Sequence, residues 1–280
     1  MDDSLPNRLV IPDGVTKIED SAYQGNTHLK EIHIPDSVKI IGKGAFQGCY
    51  GVKEIHLPDS IIEIGDEAFS DCFSLKKINI PGRVARIGEK AFFWCHYLTD
   101  IRIPDSVMEI GERAFALCGL RRVRIPDSVS VIGEGAFIGC HLAGITVSAG
   151  NKDYDSRKGC NAIIETKTGT LIAGCIHTRI PDGVTAIGNH AFGGCLGLKE
   201  IHIPEGVAVI GNHAFKSCED LTQIRIPDSV TEIGKDAFRN CSSLRAISIP
   251  KGLDLSDIGL PDGIEIIDDK RRRQQGSPAS

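Results

Sequence analysis

The chain reads as an α/β repeat solenoid: a right-handed superhelix with short strands on its concave face, short helices on its convex face and one β-hairpin insert. Three observations predict this. Ile-Pro-Asp-Ser-Val or a near variant recurs, with prolines at Pro12, Pro35, Pro58, Pro81 and Pro104 set 23 residues apart and continuing at Pro126, Pro181, Pro204, Pro227 and Pro250. Ile-Gly, Ala-Phe and Cys follow the prolines at near-constant offsets. One longer interval, from Cys140 to Cys195, carries a hairpin signal. A fixed period in this range marks stacked units, none of which buries its apolar face alone.

The elements of one repeat follow in order. In Leu75-Lys76-Lys77-Ile78-Asn79-Ile80 the isoleucines alternate with polar residues, so a short strand turns Ile78 and Ile80 inward and Lys77 and Asn79 outward. Pro81 ends it by removing a ladder donor. Pro-Asp-Ser and Pro-Asp-Gly are turns, with proline supplying its fixed φ and Asp or Ser bonding nearby amides. Val-x-x-Ile-Gly, as in Val107 to Gly111, places both branched residues inward and lets glycine make a tight bend. Glu-Arg-Ala-Phe-Ala-Leu-Cys, residues 112–118, has apolar residues at helical spacing and predicts one to two turns of convex helix.

Eight of the ten cysteines occupy one repeat position: Cys49, Cys72, Cys95, Cys118, Cys140, Cys195, Cys218 and Cys241. A column in register is a packing ladder of small hydrophobes, expected to be free and buried. The other two lie in the insert near 148–176. There residues 161–165 and 170–174 flank Thr166-Lys167-Thr168-Gly169, which predicts the hairpin. A turn about Lys167 and Thr168 sets Ile163 opposite Ile172 and Cys160 opposite Cys175, with directly opposed Cβ atoms about 4.5–5.5 Å apart. That pair is expected to be adjacent and the first to oxidise, though reduced in a cytoplasmic protein.

Residues 1–268 are expected to form one solenoid of about eleven repeats, closed by a truncated repeat over 251–268, with a disordered tail over 269–280. Lysine and arginine total 32 against 37 aspartates and glutamates, a net charge of -5, which argues against a general nucleic-acid binder. No apolar run is long enough to span a membrane. The start, Met1-Asp2-Asp3, lacks a leader pattern, so the chain as given predicts a cytoplasmic location. The sequence carries no G-x-S-x-G, H-E-x-x-H or C-x-x-C and no cofactor motif, so neither enzyme activity nor a cofactor is expected.

The string L-x-x-I-x-I-P-D-S-V-x-x-I-G-x-x-A-F-x-x-C, repeated from about Leu9 to Ile249, resembles the BspA-type leucine-rich repeats. The resemblance implies a leucine-rich-repeat solenoid and an adhesin-like role on a bacterial surface, and it brings no catalytic motif. An intracellular scaffold or effector using the same surface is the alternative.

Two surfaces are candidates for binding a protein partner. The outward place between the strand isoleucines holds His33, His56, Asn79, Arg102, Arg124, Arg179, His202 and Arg225. Stacked rungs lie about 4.8 Å apart, so these residues form a basic ladder. Beside it, Glu31 and Glu54 predict cross-strand pairing, whereas around Lys77, Arg102, Arg122 and Arg124 only Asp100 offsets the charge. That patch suits a carboxylate or sulfate, for which arginine offers a bidentate fork. Glu31, His33, Glu54 and His56 are possible metal ligands by type, but duplication of a repeat produces the same pattern, and no metal site is assigned. The second surface is an edge where large apolar residues interrupt polar columns: Phe93, Trp94, Leu117 and Ile138 before the cysteine, and Tyr50, Phe73 and Tyr97 after it.

Overall fold

The computed structural model describes residues 7–268. One compact unit runs to Leu142 and takes in Thr146–Tyr154; the second comprises Ala143–Ile145 and the chain from Asp155 onward.

In the first unit each repeat forms one rung, and neighbouring rungs pair in parallel. The expected strand is present: Arg8–Val10 pairs with Glu31–His33, and Glu54–Ile55 with Lys77–Ile78, residue for residue across the 23-residue period. Arg122–Ile125 shows the period-two pattern plainly, with Val123 and Ile125 buried and both arginines exposed. The Val-x-x-Ile-Gly segment is a second strand ladder rather than a simple bend. Lys17–Ile18, Ile40–Ile41, Glu63–Ile64, Arg86–Ile87, Glu109–Ile110 and Val131–Ile132 form a six-stranded parallel sheet. Parallel strands need a long connection; here the connection is the rest of the rung.

The glycine after each second strand serves the stacking. A Cβ on Gly65 would lie 2.8 Å from Gly42 C, one on Gly88 2.5 Å from Asp66 N, and one on Gly133 2.3 Å from Glu112 N. These positions are glycine because successive backbones touch there, not because of a left-handed φ. The turn serine also works between rungs. Ser60, Ser106 and Ser128 donate to the carbonyls of Val38, Val84 and Val107 on the preceding rung at 2.6–2.8 Å. The turn itself closes as expected, for example Val38 N–H to Pro35 O at 3.1 Å.

Among the described residues the expected convex helices do not form. Left-handed backbone appears at two places in each Ala-Phe segment, such as Gly44 and Gly48, Glu67 and Asp71, Lys90 and Trp94, and Arg113 and Leu117. A left-handed residue breaks the α-helical hydrogen-bond run, and alternate amides are thereby aimed at the next rung. Gly44, Phe46 and Gly48 donate to the carbonyls of Asp66, Ala68 and Ser70, while Ala45, Gln47 and Cys49 close turns within their own segment. The result is a third ladder of backbone bonds. Each rung is tied to the next on three sides, as buried amides require.

Inside, Tyr23, Phe46, Phe69, Phe92, Phe115 and Phe137 stack as one column with ring centroids 5.3–5.6 Å apart. Beside it, the ladder thiols of this unit donate to the aromatic residue's carbonyl on the preceding rung: Cys49 to Tyr23 O at 3.3 Å, Cys72 to Phe46 O and Cys95 to Phe69 O at 3.2 Å, and Cys118 to Phe92 O at 3.0 Å.

The second unit repeats the plan. Phe192, Phe215 and Phe238 stack at 5.1 and 5.5 Å. The hairpin is present as Ala162–Glu165 against Thr170–Gly174, and its second strand heads a parallel ladder continued by Ala186–Ile187, Val209–Ile210 and Glu232–Ile233. Gly174 lies over the open face of Phe192, where a Cβ would come within 2.1 Å of the ring. The predicted register holds for Ile164 opposite Leu171 and Glu165 opposite Thr170, then slips. A bulge at Ile172 sets Ile163 opposite Ala173 and Ala162 opposite Gly174, so Cys160 and Cys175 are not directly opposed. All ten cysteines are free and buried. Near the last described residues Asp236 and Phe238 donate to Asp257 and Ile258 carbonyls, and Leu253, Leu255, Leu260 and Ile264 pack on the core. The expected tail, 269–280, falls outside the described residues.

Candidate recognition surface

The outward strand column lies where the alternation puts it. His33, His56, Arg102, Arg124, Arg179 and His202 are exposed, and Arg225 is half-buried. Asn79 differs because its amide bonds both backbone groups of Leu57 on the previous rung, accepting at 2.9 Å and donating at 2.8 Å. Charges on this face are more compensated than the column pattern suggests. Arg8 pairs with Glu31 at 3.8 Å and Lys77 with Glu54 at 3.2 Å. Arg124 reaches Asp105 at 3.6 Å and Arg225 reaches Glu205 at 3.3 Å, so the acidic turn column also serves the ladder. Such exposed pairs add little stability. They leave Arg102, Arg122 and Arg179 as exposed guanidiniums of the strand face with no ion pair among the described residues.

In the first unit the strand face forms an open groove of about 1150 Å3, lined by Glu31, His33, Glu54, His56, Lys77 and Arg102, with Lys76, Tyr97 and Thr99 also at its boundary. In the second unit Arg179, Glu200, His202, Gln223 and Arg225 line a smaller one of about 630 Å3.

The aromatic edge divides into two sets. Trp94 and Leu117 precede the cysteine at φ 58° and 59° and remain 50% and 40% exposed. Phe93 and Ile138 are half-buried. Tyr50, Phe73 and Tyr97 lie past the cysteine and are exposed. Phe73 stacks on His96 with centroids 5.4 Å apart, and the Tyr97 ring lies perpendicular to both at 5.3 and 5.4 Å. Tyr97 therefore belongs to the edge and to the groove together.

Two histidines escaped the sequence reading. His190 and His213, each within an Asn-His-Ala-Phe string, stack with centroids 4.9 Å apart at left-handed backbone positions. The repeated string was the available signal, but helical spacing concealed that both rings occupy one column. No group of three or more His, Cys, Asp and Glu side chains among the described residues is arranged to hold a metal ion. Several ladder thiols are held protonated by burial. Burial pushes Cys49 up to about 11 and Cys195 to about 12, and raises Cys72, Cys95 and Cys218 as well.

The sequence profile of the BspA type leucine rich repeat region matches residues 7–144 and 174–269, in six copies. The chain belongs to the BspA-type leucine-rich repeat family. No curated protein sequence matches it. Among solved structures, this BspA-type chain is similar to a leucine rich cell surface protein from Faecalibacterium prausnitzii, at 27% identity over 98% of this chain and 91% of that one, with a TM-score of 0.72. A leucine-rich repeat protein from Eubacterium ventriosum is 26% identical over 88% of this chain and 67% of its own, with a TM-score of 0.70. The pneumococcal vaccine antigen PcpA shares the fold, at 20% identity over 94% of this chain and 66% of that one, with a TM-score of 0.62. No helix among the described residues is long and apolar enough to cross a membrane.

Proposed function

We propose that the chain is a non-enzymatic recognition module, adhesin-like, that binds a protein partner through the basic strand ladder and the aromatic edge. The observation that carries this reading is the backbone at Trp94 and Leu117. The same column holds Gly25, Gly48, Gly139 and Gly194, together with Asp71, Ser217 and Asn240. Glycine meets a left-handed conformation without strain, whereas a bulky residue there costs about 1–2 kcal/mol. The exposed part of a tryptophan at such a site adds nothing to the seam. Strain carried by an exposed apolar side chain points to what that side chain meets outside the fold. Aromatic anchors inside a polar rim are what interfaces use, and the ladder would supply charge complementarity and orientation. The cell-surface description of the Faecalibacterium structure agrees with a role of this kind.

The test is affinity capture from a surface-protein fraction with the immobilised wild type, Trp94→Gly, and Arg102→Glu/Arg122→Glu. A partner held by the wild type and lost from both variants is expected. A partner held equally by all three would place recognition elsewhere and overturn the reading.

A further inference from the structure

We infer that the Tyr97 end of the groove is a subsite for one sugar of an acidic polysaccharide, a pyranose bearing a carboxylate or sulfate. This rests on reading the groove as a recognition surface and adds the ligand's chemistry. Tyr97 is 49% exposed, and the Lys76 ammonium stands over its ring 6.0 Å from the centroid. That is about the outer limit of cation–π reach, so the ammonium is held only loosely at the ring. The negative face of an aromatic ring attracts the polarised C–H face of a pyranose, and a sugar seated there would offer oxygens to Lys76.

Arg102 lines the same groove without an ion pair among the described residues, and Arg122 lies on the next rung in the same state. Guanidinium forks match carboxylate and sulfate geometry. Asp100 also lines the groove, so once Arg8–Glu31 and Lys77–Glu54 are paired, Lys76 and Arg102 face a single carboxylate, a local positive balance on a chain whose net charge is -5. An acidic peptide would answer to the cations alone. The half-exposed tyrosine ring beside them favours a sugar.

The test is titration of heparin and hyaluronan oligosaccharides, with neutral dextran as control, into the wild type, Tyr97→Ala, Arg102→Gln and Lys39→Ala. The wild type should bind at least one acidic oligosaccharide and not dextran. Tyr97→Ala and Arg102→Gln should each weaken binding by about tenfold or more, and Lys39→Ala, an exposed cation outside the groove, should not change it. The inference fails if the wild type binds neither acidic oligosaccharide. It also fails if binding survives Tyr97→Ala, or if polyglutamate binds as tightly as heparin with the same indifference to Tyr97. A protein partner lost on Trp94→Gly while no oligosaccharide binds would leave protein recognition standing and remove only the sugar subsite.

Discussion

At Trp94 the backbone asks for glycine and half of the residue stands in solvent. Trp94→Gly should therefore raise stability by about 0.5–1 kcal/mol, the relieved strain less the added chain entropy of glycine, while weakening partner binding. Denaturant midpoints of the two proteins check this, and a lower midpoint for the variant would show that the indole is a core residue. His213 presents a second residue-scale conflict. Burial first, then Lys216, Lys235 and Arg239, hold its imidazolium below the ordinary histidine range, against the opposing pull of Asp236, whose Oδ2 lies 4.0 Å from Nδ1. The unfolded chain then binds this proton more readily than the folded one, so the His213 contribution is present above about pH 6.5 and is lost as pH falls below it. Between pH 7 and pH 5 the wild type should lose more of its urea midpoint than His213→Gln. Equal losses would remove His213 as the cause.

At the scale of the element, the phenylalanine column should dominate stability. Phe92 lies between Phe69 and Phe115 at 5.5 and 5.3 Å. Phe92→Ala should cost about 3–5 kcal/mol, and Arg102→Ala on the strand face less than about 0.5; equal midpoints would refute the inward assignment. The first strand ladder was legible because period-two alternation ending in proline has few other solutions. The second was not, because Val38 and Ile41 are both buried and stand three apart, which hides a two-residue strand inside what reads as a corner. The convex helix was misread for a related reason. Ala, Phe and Cys at i, i+1 and i+4 match a helical stripe, and nothing local betrays that Glu67, Lys90 and Arg113, good helix formers, adopt φ of 51–56°. That conformation is imposed by bonds to the next rung, which a local window does not contain. The bulge at Ile172 was hidden in the same way, and it moved the expected partner of Cys160.

At the scale of the whole molecule, the repeat column was the strongest signal, and what it concealed was chemistry specific to single rungs. Position alone placed the eight ladder thiols and the basic column. It did not show that Glu54 and Asp105 neutralise Lys77 and Arg124, because those contacts depend on side-chain reach. The molecule-wide test of the buried column is thiol titration near pH 8: native protein should react slowly at few sites and denatured protein at ten. Rapid labelling of the ladder without unfolding would overturn the inward phase. The third ladder has a genetic consequence. Gly44, Phe46 and Gly48 donate to residues 66, 68 and 70, just as Glu67, Phe69 and Asp71 donate to residues 89, 91 and 93. Removing residues 66–88 would join Gly65 to Glu89 and present each donor with an acceptor of the same kind. Duplication or loss of one whole repeat can then lengthen or shorten the protein one rung at a time without spoiling a junction. The excised variant should still unfold cooperatively, with a urea m-value reduced in proportion to the surface lost.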